Sequence, residues 1–95
     1  MFTGTPKPFE AHTGPMGGAY SARSRELDPE TRAKVIALAV ENYHVEPDAI
    51  VFLDVREFET ALGDGSVGEV ALRYGSYSKA IIGLYADGHI ETWMD

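Results

Sequence analysis

Two short groups of basic, hydroxyl-bearing and aromatic residues could hold a phosphate or a nucleobase. Arg23 and Arg25 alternate with serines in the N-terminal part of the chain, whereas Arg73, Tyr77 and Lys79 belong to a turn rich in glycine and serine. One guanidinium group can donate two parallel hydrogen bonds to the oxygens of a phosphate, and tyrosine rings stack on nucleobases. These five residues are therefore candidate contacts for a small anionic ligand. A solvated segment before a helix and an ordinary β-turn are the plainer interpretations of the two groups.

A metal-dependent hydrolase or nuclease would have to be built from Asp54, Glu57 and His89. On an unbroken strand the side chains of Asp54 and Glu57 point to opposite faces. A buried Asp54 would need an ion-pair partner, and either Arg56 on the same face or Arg73 on the next strand could supply it. His89 has Glu91 two residues on as a possible second ligand and Asp87 just before the turn, but zinc sites use three or four ligands and no cluster here has a recognisable spacing. We therefore assign no catalytic residue, no metal ligand and no cofactor, and keep a minimal hydrolase as an alternative.

The glycines of residues 63–68 match the letters of the dinucleotide-binding motif G-x-G-x-x-G. That motif needs a helix after the glycines, because the helix N-terminus holds the pyrophosphate. Here the glycines lead into a strand pattern instead. We therefore expect a flexible hairpin loop at this place.

Composition excludes several classes of protein. A chain of 95 residues makes one small domain, without room for a deep cleft of its own. The absence of cysteine excludes disulfides, thiolate catalysis and cysteine-built metal sites. A net charge of −7 opposes broad nucleic-acid binding, and no apolar run is long enough to span a membrane. We expect a cytoplasmic or otherwise intracellular protein that is not secreted, with a place in a virion as an alternative.

Charge and glycine content divide the chain into two parts. Residues 1–26 carry a net charge of +1 and residues 27–95 a net charge of −8. The first part is rich in glycine and proline, which disfavour helix and central strand, and we expect an extended N-terminal arm. Its aromatic residues Phe2, Phe9 and Tyr20 are spaced like anchors that dock on a surface. Residues 27–95 are expected to form a single α+β domain.

The second part begins with a helix signal. Asp28 suits the N-cap position and Pro29 the first helical position, and the helix should end near His44. One stripe of apolar residues at helical spacing comprises Ala33, Ile36, Ala37, Val40 and Tyr43. Val35, Leu38 and Ala39 fall outside this stripe, so the helix is apolar over more than one face.

Strand signals fill the rest of the chain. Branched and aromatic residues predict strands over residues 50–58, 67–74, 80–86 and 89–94. Short connections between consecutive strands favour an antiparallel meander. We therefore predict an α+β fold in which one amphipathic helix packs on a roughly four-stranded antiparallel sheet.

The last two predicted strands carry the main functional expectation. Asp87 and Gly88 predict a two-residue hairpin loop, which sets Ala86 opposite His89. In that register neither face of the hairpin is polar, and one helix covers only one face of a sheet. We expect the arm or a second subunit to cover the other face through seven interface residues: Phe2, Phe9, Tyr20, Ile81, Gly83, Tyr85 and Trp93.

These features favour a non-enzymatic protein that works as a homo-oligomer. It would be a small acidic binding or inhibitor module, with a blocking or assembly role toward a protein partner that has a basic surface. The alternative is a small-ligand binder that holds a phosphorylated or nucleotide-like molecule between subunits, because subunit interfaces create concave sites.

Overall fold

The computed structural model describes residues 1–13 and 18–94 of the chain. The elements, in chain order, are β1 (Phe2–Thr3), β2 (Glu10–Thr13), β3 (Ala19–Ser24), β4 (Glu26–Leu27), α1 (Pro29–Tyr43), a short 3-10 helix (Pro47–Ala49), β5 (Ile50–Phe58), β6 (Ser66–Tyr74), β7 (Ser78–Tyr85) and β8 (Ile90–Met94). None of the helices in this described part is long and apolar enough to cross a membrane.

The strands form an antiparallel sheet of six strands in the order β2-β3-β5-β6-β7-β8, and β1 pairs with β4 separately. The α+β prediction with one α-helix and an antiparallel sheet is confirmed, but the sheet has two strands more than the four expected. Both extra strands come from residues 1–26. The glycines and prolines of that segment cluster at residues 4–8 and 14–18, which leaves residues 10–13 and 19–24 free to pair as strands. The division of the chain at residue 26 stays a prediction.

Helix α1 begins and ends where the sequence predicts. The Asp28 side chain accepts a hydrogen bond of 2.7 Å from the backbone N–H of Thr31, and His44 closes the helix in the left-handed region at φ 55°. The fully buried helix residues are Val35 and Ala39, which lie outside the apolar stripe, whereas Ala33 of the stripe is exposed. The helix is apolar on more than one face, so periodicity alone could not select the face that meets the sheet.

The hydrophobic core lies between α1 and one face of the sheet. Its fully or almost fully buried members come from three elements and comprise Val35, Ala39, Val70, Leu72, Ala80, Ile82 and Leu84. At one end of this layer Tyr43 of the helix stacks on Tyr74 of β6, with ring centroids 4.1 Å apart. Along β6 and β7 every second residue faces the helix, so the residues between them face the other side of the sheet.

The hairpin between β7 and β8 differs from its prediction by one residue. Leu84 pairs with Ile90, and the backbone N–H of Tyr85 donates to the carbonyl of His89 at 3.1 Å. The loop therefore has three residues and closes through Gly88 at φ +92°, the left-handed position of a bulged turn. This shift places Ile90 toward the helix and brings His89 to the opposite face, beside Tyr85.

A bulge in β5 decides which of its residues face the helix. The pairing register with β6 shifts between Phe52 and Asp54, and Leu53 is 46% exposed there. After the shift Val55 and Glu57 lie on the helix side. Asp54 lies on the opposite side, together with the other even-numbered residues of this half of the strand.

Candidate functional site: the sheet face opposite the helix

The sheet face opposite α1, here called the groove face, contains an open groove of about 510 Å³. All six strands of the large sheet and the loop after β5 contribute to its lining, which comprises Thr13, Tyr20, Arg56, Phe58, Leu62, Glu69, Ile81, Trp93 and Met94. Most of this surface is apolar or aromatic. That composition is typical of a site that binds another molecule.

Aromatic rings build the walls of the groove. Trp93 lies against the backbone of Gly83, where any Cβ atom would overlap the indole ring. The indole N–H donates to the hydroxyl of Tyr85 at 3.1 Å, and the two rings meet edge to face. On the other wall Tyr20 meets Phe58 edge to face, with centroids 5.7 Å apart. Because Gly83 has no side chain, Trp93 can lie flat on the sheet and present its ring to the groove.

A polar chain crosses the floor of the groove. The Arg56 guanidinium donates through Nε to Asp54 at 2.8 Å and through Nη1 to the Tyr20 hydroxyl at 2.7 Å, and that hydroxyl donates to Glu69 at 3.2 Å. Burial and the Glu69 carboxylate raise the pKa of Tyr20, so the hydroxyl keeps its proton. Arg56 Nη2 makes no hydrogen bond with any residue of ranges 1–13 and 18–94 and is free to donate.

One end of the groove face is basic, and we call it the basic end. Arg73 of β6 and Lys79 of β7 are directly opposite each other across the strand pair, and both are exposed. Neither forms an ion pair with another described residue. Two like charges in directly opposed positions destabilise an isolated sheet unless a counter-charge approaches them.

The other end of the groove face is acidic, and we call it the acidic end. The Tyr85 hydroxyl is 2.8 Å from a Glu91 oxygen and 3.2 Å from an Asp64 oxygen. His89 stacks on Tyr85 and lies between Asp87, at 2.8 Å, and Glu91, at 3.2 Å. Hydrogen bonds to Asp87 and then to Glu91 raise the pKa of His89. Three carboxylates and one imidazole leave this end negative.

The structure does not bring the five predicted ligand contacts together. On the helix side Arg23 and Arg25 both donate to one oxygen of Glu57, at 2.7 and 2.8 Å. Glu57 and Arg23 are opposite each other at one end of β5, whereas Arg73 pairs with Val51 at the other end. Tyr77 lies in the turn between β6 and β7, and Lys79, near the start of β7, is directly opposite Arg73. The ligand role of these residues stays a prediction.

The seven predicted interface residues divide between the two sides of the sheet. Phe2 packs against the core on the helix side, and the Arg23 guanidinium lies 4.1 Å above the ring of Phe9. These two aromatic residues therefore contact their own chain. The remaining five lie on the groove face, namely Tyr20, Ile81, Gly83, Tyr85 and Trp93. Their interface role stays a prediction.

The residues weighed for hydrolysis are held by neighbours. Asp54 pairs with Arg56 at 2.8 Å, one of the two ion-pair partners that the sequence offered. Arg23 and Arg25 hold Glu57, and His89 contacts the two acids beside it in sequence. In the described part of the chain no three His, Asp or Glu residues are grouped so that they could hold a metal ion.

The glycines of residues 63–68 lead into β6, so a strand follows them, as expected. Asp64 organises this loop by accepting hydrogen bonds of 3.0 Å from the N–H and 2.7 Å from the hydroxyl of the buried Ser66. A dinucleotide site would need a helix N-terminus at this place. The glycines therefore serve a hairpin connection.

Sequence reasoning missed several residues of the groove. Arg56 and Phe58 are two residues apart on β5, and Glu69 pairs with Arg56 from β6. Because side chains alternate between the two faces of a strand, the sequence could have placed these three residues on one face. The group of Asp64, Tyr85 and Glu91 could not, because it depends on a loop conformation and on the corrected hairpin register.

The sequence matches no protein-family model and no curated protein, and no solved structure matches the fold.

Proposed function

We propose that the protein is a non-enzymatic binding module that self-associates through its groove face. A single observation carries this proposal, namely the open aromatic groove on the sheet face that α1 leaves uncovered. Apolar and aromatic side chains that line an open concavity are typical of sites where another molecule docks.

The side chains that line the rim support association. Met94 is 53% exposed and Leu62 is 39% exposed, although both belong to an apolar groove. A second copy could cover these side chains together with Trp93 and Ile81. Aromatic residues and methionine are enriched at protein interfaces, and buried tryptophan is a frequent energetic anchor.

The arrangement of charges supports binding over catalysis. Arg56 is engaged by Asp54 and Tyr20, and Glu69 accepts a hydrogen bond from Tyr20. No serine, histidine and carboxylate come together in the groove lining. The polar groups at the floor of the groove bind one another, and the rim above them is apolar. This arrangement is suited to binding a partner.

A charge placed at the centre of the groove tests this proposal. Ile81→Lys would bury an unpaired ammonium group if two groove faces meet, at a cost of about 2–5 kcal/mol. Leu53→Lys is the matched control, because Leu53 is an exposed leucine outside the groove lining. We expect light scattering with size exclusion at micromolar concentration to show dimers for the wild type and Leu53→Lys, and monomers for Ile81→Lys.

Circular dichroism must show the same fold for all three proteins before their masses are compared. A monomeric wild-type protein with an intact fold would contradict self-association. Equal association of Ile81→Lys and the wild type would show that a different surface is used.

A second candidate function is the binding of a small apolar molecule with a carboxylate or carbonyl group. The unused Nη2 of Arg56 favours it, because a donor on the floor of an apolar groove is what such a ligand needs. The groove volume lies within the usual range of about 300–1,000 Å³ for small-ligand sites. Such a ligand differs from the phosphorylated or nucleotide-like molecule expected from the sequence, because it would lie between Trp93 and Tyr20 in the groove of one chain.

Trp93 is the single tryptophan of the chain and reports directly on groove occupancy. We expect 2-naphthoate to change its fluorescence, with an affinity reduced about tenfold or more in Arg56→Gln. Arg73→Gln removes a cation from the same face outside the groove lining and serves as the control. Equal affinity of Arg56→Gln and the wild type would rule out this role of Arg56.

A further inference from the structure

We propose that two copies pack groove face to groove face about a two-fold axis that runs across the strands. The basic end of each copy then lies on the acidic end of the other. This inference rests on the proposed self-association and adds to it the partner, a second copy of this chain, and the orientation of that partner.

The charge layout of the groove face carries the inference. Arg73 and Lys79 are directly opposed cations without an ion-pair partner among the described residues. Asp64, Asp87 and Glu91 lie at the far end of the same strand pair, where β7 ends and the loop before β6 is located. Each end repels itself and attracts the other, so the face is complementary to a reversed copy of itself.

Symmetry allows two face-to-face arrangements of identical sheets with nearly aligned strands. A two-fold axis along the strands places basic end near basic end. A two-fold axis across the strands reverses the strand direction and places each basic end over an acidic end. Arg73 and Lys79, which have no ion-pair partner among the described residues, favour the second arrangement. The first arrangement would gather four cations at one end of the interface.

The second arrangement also fixes which residues meet. An axis across the strands keeps each strand over its own copy, so β6 lies on β6 and β7 on β7. The end of β6 that carries Arg73 then lies over the Asp64 loop of the partner, and Lys79 of β7 lies over the region of Tyr85 and Glu91. Ile81 lies near the middle of β7, close to the axis.

The size of the face is sufficient for a stable dimer. Six strands about 4.8 Å apart, with the longer strands rising about 3.3 Å per residue, span roughly 24 by 28 Å. A standard interface buries about 800 Å² of accessible surface per subunit. A side-chain-covered face of this size supplies an area of that order, and the relative tilt of about 30° between packed sheets stays within the reach of long arginine and lysine side chains.

Charge reversal in two separate variants tests the orientation. One variant carries Arg73→Glu and Lys79→Glu, and the other carries Asp87→Lys and Glu91→Lys. All four positions are exposed, so the substitutions should leave the fold intact. The two-fold axis creates two equivalent contacts between the basic end of one copy and the acidic end of the other. In a homodimer of either variant, each of these contacts joins like charges. In a mixture of the two variants, both contacts of the heterodimer join opposite charges again.

We expect each variant alone to associate at least about 100-fold more weakly than the wild type in sedimentation equilibrium. The equimolar mixture should recover association to within about tenfold of the wild type, and the wild-type dimer should weaken with added salt. If a double variant fails the fold check by circular dichroism, Lys79→Glu and Glu91→Lys replace it as single substitutions, with a smaller expected loss.

The possible outcomes separate the two proposals. Suppose that the wild type dimerises and that Ile81→Lys abolishes the dimer, but that the mixture of charge-reversed variants fails to recover association. The proposed orientation is then overturned, whereas self-association through the groove stands. Normal association of both charge-reversed variants overturns the orientation as well. A folded, monomeric wild-type protein overturns both proposals at once.

Discussion

The two faces of the sheet bury their side chains to very different extents. On the helix side Val70, Leu72 and Ile82 have no exposed surface. On the groove face Phe58 and Tyr85 are buried, but Ile81 and Trp93 are only partly buried and Met94 is half exposed. One chain therefore completes the first face and leaves the second without a cover.

The charges of the two faces show the same contrast. Arg23 and Arg25 on the helix side share the Glu57 carboxylate, and Arg23 also lies on an aromatic ring. Arg73 and Lys79 on the groove face have no such partner among the described residues. The helix face is thus covered by its own chain, whereas the groove face keeps partly exposed apolar side chains and cations without ion-pair partners among the described residues, as the proposed binding surface would.

The largest expected effect contrasts one residue from each face. Leu72→Ala leaves a cavity in the core and should lower the free energy of unfolding by about 3 kcal/mol, because Leu72 is fully buried. Ile81→Ala should lower it by less than about 1.5 kcal/mol in the monomer and mainly weaken association. Urea denaturation at a concentration that keeps the protein monomeric measures both. Equal losses would show that the groove face is part of the folding core.

An intermediate effect is expected where the groove wall meets the sheet. Gly83→Ala would force Trp93 off the sheet and should cost about 1–3 kcal/mol of stability. The fluorescence maximum of Trp93 should move to longer wavelength as the ring enters water. Gly63→Ala is the control, because an added Cβ at Gly63 meets nothing within 4 Å. Unchanged fluorescence of Gly83→Ala would contradict the position of the indole ring.

The smallest expected effect concerns the helix side and its dependence on pH. The amino group of Met1 lies 2.6 Å from Asp28, and this contact, with the N–H of Thr31, lowers the pKa of Asp28 to about 2. A carboxyl whose pKa is lower in the folded state stabilises the fold above its unfolded pKa near 3.8 and loses that contribution as the pH falls toward 2.

Asp28→Asn should therefore flatten the fall in melting temperature between about pH 4 and pH 2, because its side chain does not titrate. Acetylation of the Met1 amino group should flatten it in part. The association constant of the groove face should not respond to either change. Parallel pH profiles for Asp28→Asn and the wild type would show that the ion pair does not contribute to stability.

Local signals in the sequence predicted the elements well. The cap at Asp28, the end of α1 near His44 and the strand over residues 50–58 are all observed at the expected places. These features depend on neighbours within a few residues of each other, such as a capping oxygen, a fixed proline angle or a run of branched side chains. Distant parts of the chain have little influence on them.

The errors concern choices that local signals leave open. Glycine and proline in residues 1–26 suggested an arm, yet two segments between them pair with each other as β2 and β3, and β3 joins β5 to enlarge the sheet. The pair of Asp87 and Gly88 is compatible with loops of two or three residues, and the difference of one residue moved His89 to the other face. The apolar stripe of α1 was ambiguous until the sheet selected Val35 and Ala39.

The sequence by itself determined the class of the fold, the bounds of most elements and the unequal charge of the two parts of the chain, because composition, caps and strand periodicity are properties of neighbouring residues. Only the tertiary structure decided that Arg56, Tyr20 and Glu69 share one floor, that Trp93 lies on Gly83, and that a basic and an acidic end lie on one face. These arrangements arise from strand order, a bulge and a hairpin register. They join residues far apart in the chain, which no local pattern specifies.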